Sequence, residues 1–587
     1  MKVFGRIKST LWNIQKSIKR FPITIGISTI LAIFLIYLNE SHLAWETKEK
    51  LDQITLVLGL GIPLSLFISL GIERFFEKNK LVSTILYCVG AGFLLLYYFI
   101  FLEDNNTAEI SRYIGTMIFC ILGFLYISRI GKNKDYEYYI MDIYYSFVLT
   151  FVYSFVLYFG LSAIFFTIDQ LFDANVPVEL YYYMFLIVFF IFAISLFLSK
   201  LPYVDTQYEE IEYGKPLTIL LTYIVIPLIT IYTIILYIYF GKILLTRIWP
   251  RGLVSHLVLW YSTISVGVIF LITPILDENK IANTFKTFFP KIIIPIILMM
   301  YISIYQRVNQ YGITENRYYL IVLGLWVLGI MIYFAVKKPL KNIVIPISLS
   351  VIMLNSVYGP FSSFAISKYS QNKRFENILK RNHMISNGNI VLSPDITKDD
   401  KKEINNILSY FNTNHSIQDI KVLPKDFSFD KMENVFGFKY NAYMPYENNR
   451  YFYFGIYGNR EPIDIKGFDY YINIEYWNED KIETGGLTLQ FNKTKNVLTI
   501  SKDDRIILEQ GIMEFVKDIY NKQASKEEDK EKSMVSYKDT TYNVSIRDSI
   551  DNIDLKFIFT NISGRIDDQD LLEIDNVEFI LLISNKQ

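Results

Sequence analysis

The sequence contains very little cysteine and histidine. Its 587 residues include two cysteines, Cys88 and Cys120, both in apolar stretches, and four histidines. The C-terminal third has no cysteine, which excludes a disulfide framework and a thiolate metal site there. With so few histidines a zinc centre is not expected, so the sequence predicts no metal site and no cofactor.

The chain also lacks an excess of charge of either sign. It has 58 Lys and Arg against 58 Asp and Glu, a formal net charge of zero. Because binding to nucleic-acid phosphates requires a basic surface, the balance argues against a nucleic-acid partner.

Familiar catalytic signatures are missing from the sequence. There is no glycine-rich phosphate loop, no Gly-x-Ser-x-Gly and no His-Glu-x-x-His. No charged residue falls at the middle of a predicted membrane span, which weakens the case for a proton-coupled transporter. An enzyme of a familiar class is therefore not expected, and no residue is assigned as catalytic.

Apolar residues, by contrast, are abundant. They make up 52% of the chain, aromatics make up 16%, and the mean hydropathy is +0.27. A membrane-spanning helix needs about 20 mostly apolar residues. Eleven stretches meet this requirement: 21–38, 54–72, 81–102, 110–130, 143–166, 180–199, 217–240, 254–276, 288–305, 318–336 and 343–364. The sequence thus predicts a polytopic α-helical membrane domain at 21–364.

The charges around these spans predict their orientation. Residues 1–20 alternate apolar and basic residues at helical spacing, as in an amphipathic helix lying on a membrane surface. Short basic loops favour the cytoplasm, and this rule places the N-terminus inside. Eleven spans then place the C-terminal region outside the cytoplasm.

Two predicted outer loops depart from this rule, one with Arg247 and Arg251 and one with Arg307 and Arg317. One explanation is a miscounted span, of which 288–305, the weakest span, is the first candidate. The other is that these arginines are held by partners. With Glu315 they form a candidate cluster for an anionic ligand or for a contact between domains.

The second of these loops reads QYGITENRYY, residues 310–319. Gly312 permits a positive φ and hence a tight turn. Thr314 is expected to cap the next helix, with Glu315 in its first turn. Arg317 does not share a helix face with Glu315 and is expected to reach another segment.

The C-terminal third is predicted to be soluble. An amphipathic connector at 365–384, with an apolar face suited to a membrane surface, leads into residues 385–587. There, alternating strand patterns are interrupted by helical ones. This predicts an α+β domain large enough to form its own core.

Three segments also carry a resemblance. WPRG at 249–252, RVNQYGITENRYY at 307–319, and GP followed by SKYSQNKRF near the last span resemble bacterial multipass proteins of domain-of-unknown-function family 4153. The resemblance implies a bacterial cytoplasmic membrane location and a membrane domain with a C-terminal extension. It implies no activity and supplies no catalytic residues.

The leading hypothesis is a cell-envelope membrane protein with a non-enzymatic sensing, scaffolding or accessory role. One alternative is a translocator of an anionic lipid-linked or small-molecule substrate. Another is an enzyme acting on a lipid-linked substrate, with Glu315 as acid or base. The expected partners are the lipid bilayer, an anionic lipid or envelope polymer, and a protein bound through the C-terminal domain.

Overall fold

The structure is a computed structural model of the chain. It describes residues 14–41, 44–76, 79–102, 107–132, 135–172, 174, 176–208, 214–246, 253–386, 389–393, 396–440, 450–455, 463–474, 481–493, 495–503, 505–524, 534–537, 542–548, 553–566 and 572–585. Of the predicted N-terminal surface helix, residues 1–13 lie outside these ranges and residues 14–20 are helical.

Eleven apolar helices follow. They are α1 (Pro22–Glu40), α2 (Trp45–Phe75), α3 (Lys80–Phe101), α4 (Thr107–Ile127), α5 (Tyr136–Phe172), α6 (Val178–Ser199), α7 (Lys215–Thr246), α8 (Leu253–Ile272), α9 (Lys280–Tyr311), α10 (Glu315–Val336) and α11 (Val344–Val357). The first ten are long and apolar enough to cross a bilayer. The predicted polytopic fold is thereby confirmed, and the protein is an integral multipass membrane protein.

The eleventh predicted span, 343–364, is shorter in the structure. α11 has 14 residues and ends at Val357, ahead of Gly359, whose φ is 77°, and Pro360. A positive φ at Gly359 departs from the helical backbone, so the helix does not continue through it. At 1.5 Å per residue α11 is about 21 Å long.

The chain nevertheless returns across the helical layer at α11. Before it, the Lys341 amide donates to the Tyr333 hydroxyl at the end of α10 (2.6 Å). After it, the Tyr318 hydroxyl at the start of α10 donates to the Phe361 carbonyl (2.6 Å). Residues 337–361 therefore lead from one end of α10 back to the other, as an eleventh pass does.

The region regarded as the weakest predicted span is a continuous helix. α9 runs for 32 residues through Pro290 and Pro295, and α2 likewise continues through Pro63. Two other helices contain π-helical stretches, Ile187–Ala193 in α6 and Leu220–Val225 in α7. The structure thus gives no support to a miscount at 288–305.

Several predicted inner loops meet at one end of the bundle. Arg20 pairs with Glu73 (2.8 Å) and donates to the Leu201 carbonyl (2.7 Å). Lys132 pairs with Asp205 (2.7 Å), which lowers the pKa of that exposed carboxyl. Segments 20, 73, 132 and 201–205 therefore share one side of the spans.

The chain forms two compact units, residues 1–391 with 410–427 and residues 392–409 with 428–587. The predicted boundary at residue 385 differs from this division mainly at 410–427, which belong to the same unit as the spans. In the first unit, helix α12 (Ser363–Arg381) occupies the predicted connector. Its apolar residues Phe375, Ile378 and Leu379 are at most 1% exposed. This face is therefore buried in protein and does not face a membrane surface as expected.

Helix α13 (Lys398–Asn414) begins in the second unit and ends in the first. The second unit also holds the short helix α14 (Met432–Phe436) and helix α15 (Met513–Ala524). The strands in chain order are β1 (Ile385–Ser386), β2 (Asn389–Ile390), β3 (Arg450–Gly455), β4 (Tyr470–Ile474), β5 (Ile482–Thr484), β6 (Leu487–Asn492), β7 (Val497–Lys502), β8 (Arg505–Gly511), β9 (Met534–Tyr537), β10 (Tyr542–Asp548), β11 (Ile553–Ile566) and β12 (Leu572–Asn585).

The second unit is an α+β domain built on two sheets. One has the order β4-β12-β11-β3-β9 with β10 also paired to β11, and the other is the meander β5-β6-β7-β8. All these pairs are antiparallel except β3 with β9. Apolar residues of both sheets and of α15 form one core, which includes Phe452, Leu498, Val516 and Phe557. The predicted α+β class is confirmed.

Candidate functional site

The loop between α9 and α10 is shaped by Gly312. Its φ is 70°, a conformation that favours glycine, and its amide donates to the Val308 carbonyl (2.8 Å) to close α9. A Cβ at this position would lie 2.8 Å from Gln371 Nε2 and 3.3 Å from Ser370 Oγ. Backbone conformation and the close approach of α12 both require glycine here.

Thr314 occupies the N-cap position of α10, with an extended backbone (φ −115°, ψ 169°). Its carbonyl accepts from the Tyr318 amide (2.8 Å). Its side chain makes no capping hydrogen bond, unlike the expected cap. The start of α10 is therefore fixed through other contacts.

Helix α12 holds the loop by bonds to its backbone. Gln371 Nε2 donates to the carbonyls of Tyr311 (3.0 Å) and Ile313 (3.1 Å). Ser370 Oγ accepts from the Ile313 amide (2.9 Å). Gln371 is 2% exposed. These bonds satisfy buried main-chain groups that a polar loop leaves open.

Two tyrosines of the loop also bind residues at or just before the start of α12. Tyr318 donates to the Phe361 carbonyl just before α12 (2.6 Å), and Ser363 Oγ donates to the Tyr319 hydroxyl (3.1 Å). The Tyr311 ring lies under two guanidinium groups, those of Arg317 (5.5 Å) and Arg374 (5.9 Å).

Glu315 is the centre of a buried polar cluster. Its carboxylate accepts from Ser367 Oγ (2.6 Å), from His415 Nε2 (3.0 Å) and, through both oxygens, from the Tyr410 hydroxyl (2.7 Å each). The His415 side chain is 3% exposed and that of Glu315 is 14% exposed. We refer to Glu315, Ser367, Tyr410 and His415 as the Glu315 cluster.

The Tyr410 phenol of the Glu315 cluster is kept in its protonated form, which can donate a hydrogen bond. Burial, followed by the negative charge of Glu315, raises the pKa of the Tyr410 phenol above its ordinary value of 10.0. The phenol therefore remains protonated at neutral pH. The His415 ring is enclosed by the rings of Phe364, Tyr410 and Phe411, with centroids 5.4–5.7 Å away.

The segment that carries His415 is also bound to α12. Asn372 donates to the Asp419 carbonyl (3.0 Å) and accepts from the Lys421 amide (3.0 Å). Lys368 pairs with the Asp419 carboxylate (2.7 Å). Residues 410–421, α12 and the start of α10 thus form one hydrogen-bonded assembly within the first unit.

The predicted arginines have different surroundings. Arg317 Nη1 donates to the Gly312 carbonyl (2.9 Å) and the Tyr311 carbonyl (3.3 Å) of its own loop. Arg307 is partly buried in α9 and makes no hydrogen bond or ion pair with the other described residues. Arg247 and Arg251 lie outside the described residues.

The Glu315 cluster suits structural binding better than proton transfer. A carboxylate that already accepts from three donors is stabilised in its charged form and has little capacity to take a proton as a base. Within the described ranges, no group of three or more His, Cys, Asp and Glu side chains is arranged to hold a metal ion.

Sequence reasoning found Glu315 but missed its partners. These partners lie 52, 95 and 100 positions after Glu315 in the chain; they are Ser367, Tyr410 and His415. The rarity of histidine was a weak signal for His415, since a buried histidine needs a polar partner.

The family profile described as domain of unknown function (DUF4153) matches residues 26–386, more than half of the chain. The chain belongs to the DUF4153 family. The DUF4153 region contains the loop and all of α12, and it ends before Tyr410 and His415. The predicted resemblance is therefore confirmed.

One curated relative of this DUF4153 protein is Uncharacterized protein PM1469 of Pasteurella multocida (strain Pm70). The two are 22% identical over 381 residues, which cover 64% of this chain and 61% of the relative. The chain thus spans about three fifths of the length of that relative. No solved structure matches the chain.

Proposed function

We propose that this DUF4153 protein is a non-enzymatic component of the bacterial cell envelope, with a sensing, scaffolding or accessory role. In this proposal the spans display the C-terminal α+β domain outside the cytoplasm, and α12 joins the start of α10 to segment 410–427 within the first unit. A bacterial relative supports the assignment to bacteria.

The observation that carries the proposal is that the polar groups of the loop are bound within the protein. Some of them bind α12 or the residues just before it: the side chains of Tyr318 and Tyr319 and the backbone of Tyr311 and Ile313. The Glu315 carboxylate binds both α12 and segment 410–427. These contacts use the polar groups that a ligand or substrate would need. They favour a structural coupling site over an active site.

Chain connectivity explains why this coupling matters. Segment 410–427 belongs to the first unit but continues at both ends into residues of the second, 409 and 428. A change in the second unit that pulls on this segment acts on Tyr410 and His415, and through Glu315 on the first turn of α10. The Glu315 cluster is thus suited to transmit a signal between the two units.

The clefts of the membrane part favour the same proposal over translocation. Two clefts of about 530 and 500 Å³ are lined almost entirely by apolar side chains, among them Phe151, Phe189 and Phe197. A path for an anionic substrate needs polar groups near the bilayer midplane. Apolar clefts of this kind suit lipid chains.

The display of the C-terminal domain is tested by cysteine labelling in intact cells. In a variant with Cys88→Ala and Cys120→Ala, single cysteines replace the exposed residues Asn316, Lys466 and Lys80. We expect a membrane-impermeant maleimide to label Asn316→Cys and Lys466→Cys directly. Lys80→Cys, beside a predicted inner loop, is the matched control and should react only in permeabilised cells.

Labelling of Lys80→Cys alone in intact cells would reverse the orientation and place the C-terminal domain in the cytoplasm. Labelling of Asn316→Cys without labelling of Lys466→Cys in intact cells would show that α11 and its flanking residues do not return the chain across the membrane, which leaves the C-terminal domain in the cytoplasm. Either result contradicts the proposed display.

A further inference from the structure

The start of α9 carries a buried lysine with no anionic partner. Lys286 is 5% exposed, and it forms no hydrogen bond or ion pair with the residues that the structure describes. The charged groups that act on it are Lys291 and Lys338, both positive. An ammonium on a mostly buried side chain, beside two like charges, is favoured by an anion that approaches it from the surface.

The position of Lys286 along α9 corresponds to the surface of a bilayer. α9 has 32 residues and is therefore about 48 Å long, against about 30 Å for the hydrocarbon core. Lys280, Lys286 and Lys291 all fall in its first twelve residues, and residues 292–305 contain no charge. A hydrocarbon core of about 30 Å takes in about 20 helical residues, so a core that ends before Arg307 begins near residue 287, next to Lys286.

Another lysine, which follows α10, lies near Lys286 and Lys291 at the same end of the bundle. α10 ends at Val336, at the end of the bundle where α9 begins, and Lys338 follows two residues later. Lys291 and Lys338 are both exposed. The Lys286 ammonium is not among the fully enclosed unpaired polar atoms, so a group at the surface can reach it.

We propose that Lys286, together with Lys291 and Lys338, binds the phosphate of an anionic phospholipid at the membrane surface. A lipid phosphodiester carries one negative charge, which offsets part of the positive charge of the three ammonium groups, and lipid phosphates are abundant at this depth. The site lies at the opposite end of α10 from the Glu315 cluster, and it is independent of the proposed coupling role.

The test uses the full chain in phosphatidylcholine nanodiscs with and without phosphatidylglycerol. Bound phosphatidylglycerol is counted by native mass spectrometry, and the rise in melting temperature that it causes is measured. We expect Lys286→Gln to weaken phosphatidylglycerol binding about tenfold and to remove most of the stabilisation. The matched control Lys215→Gln, at the exposed first residue of α7, should keep both.

Unchanged phosphatidylglycerol binding in Lys286→Gln would overturn the site. An equal stabilisation by inorganic phosphate alone, without phosphatidylglycerol, would overturn the lipid as its ligand. If Lys286→Gln does not fold, the double variant Lys291→Gln with Lys338→Gln replaces it, since both side chains are exposed. That variant must lose phosphatidylglycerol binding for the proposal to stand.

Discussion

Glu315 is a single residue in which local and long-range structure meet. It lies in the first turn of α10, where a carboxylate is favourable beside the free amides and the helix dipole. Its side chain also joins Ser367 of α12 to Tyr410 and His415. Removal of the carboxylate leaves three buried donors without their acceptor, which is costly.

We therefore expect Glu315→Ala to destabilise the first unit by about 3 kcal/mol and Glu315→Gln by about 2 kcal/mol, because glutamine keeps one acceptor oxygen. Thermal unfolding of the purified protein in detergent measures both. The control is Asn316→Ala at the neighbouring exposed position, expected to change stability little. If Glu315→Gln abolished the cellular function with unchanged stability, the enzyme alternative would gain support.

The helices of the first unit pack through small residues at close contacts. α11 lies against α4, where Tyr358 and Thr116 share a hydrogen bond (2.8 Å). A Cβ on Gly115 would lie 2.5 Å from Val357 Cγ1. Glycine at this point lets α11 approach the backbone of α4, as small residues do between membrane helices. The short α11 is thus held in place by its packing against α4.

Gly115→Ala is expected to destabilise the α4–α11 contact by about 1–3 kcal/mol through overpacking. A second substitution, Val357→Ala, should recover part of that loss by making room for the new methyl group. Gly92→Ala in α3 is the control, since no atom lies within 4 Å of its added Cβ. Melting temperatures of the four variants measure the coupling, and strictly additive losses would contradict the proposed contact.

Each unit has hydrophobic clusters of its own among the described residues. The larger core of the spans includes Ile293, Val327 and Phe334, and the core of the sheets includes Phe557 and Phe579. Each core is large enough to unfold as a cooperative unit of its own.

We expect calorimetry to resolve two transitions. Phe557→Ala should lower the free energy of unfolding of the second unit alone, by about 3–5 kcal/mol. Glu315→Ala should lower the free energy of unfolding of the first unit alone. Hydrogen exchange of residues 410–427 provides an independent readout, because these residues should open with the spans. Exchange of this segment together with β11 would contradict the division into units.

The sequence alone determined the elements whose signal is local. Runs of about 20 apolar residues can be buried only in a bilayer, so ten of the spans were predictable. The strands β6, β11 and β12 were also predictable. β6 alternates because one of its faces lies against a core, whereas β12 carries a continuous apolar run because both of its faces are covered. Gly312 was identified because a tight turn with positive φ favours glycine.

Tertiary structure decided everything that depends on residues far apart in the chain. Helical periodicity marks an apolar face on α12 but does not tell whether lipid or protein covers it. Neither the partners of Glu315 nor the fit of Val357 against Gly115 has a local signature, because hydrogen bonds and close contacts form between surfaces that only folding brings together. For the same reason the hydrogen bonds of Arg317 to the carbonyls of Tyr311 and Gly312 were not predicted, because only the folded loop brings these groups together.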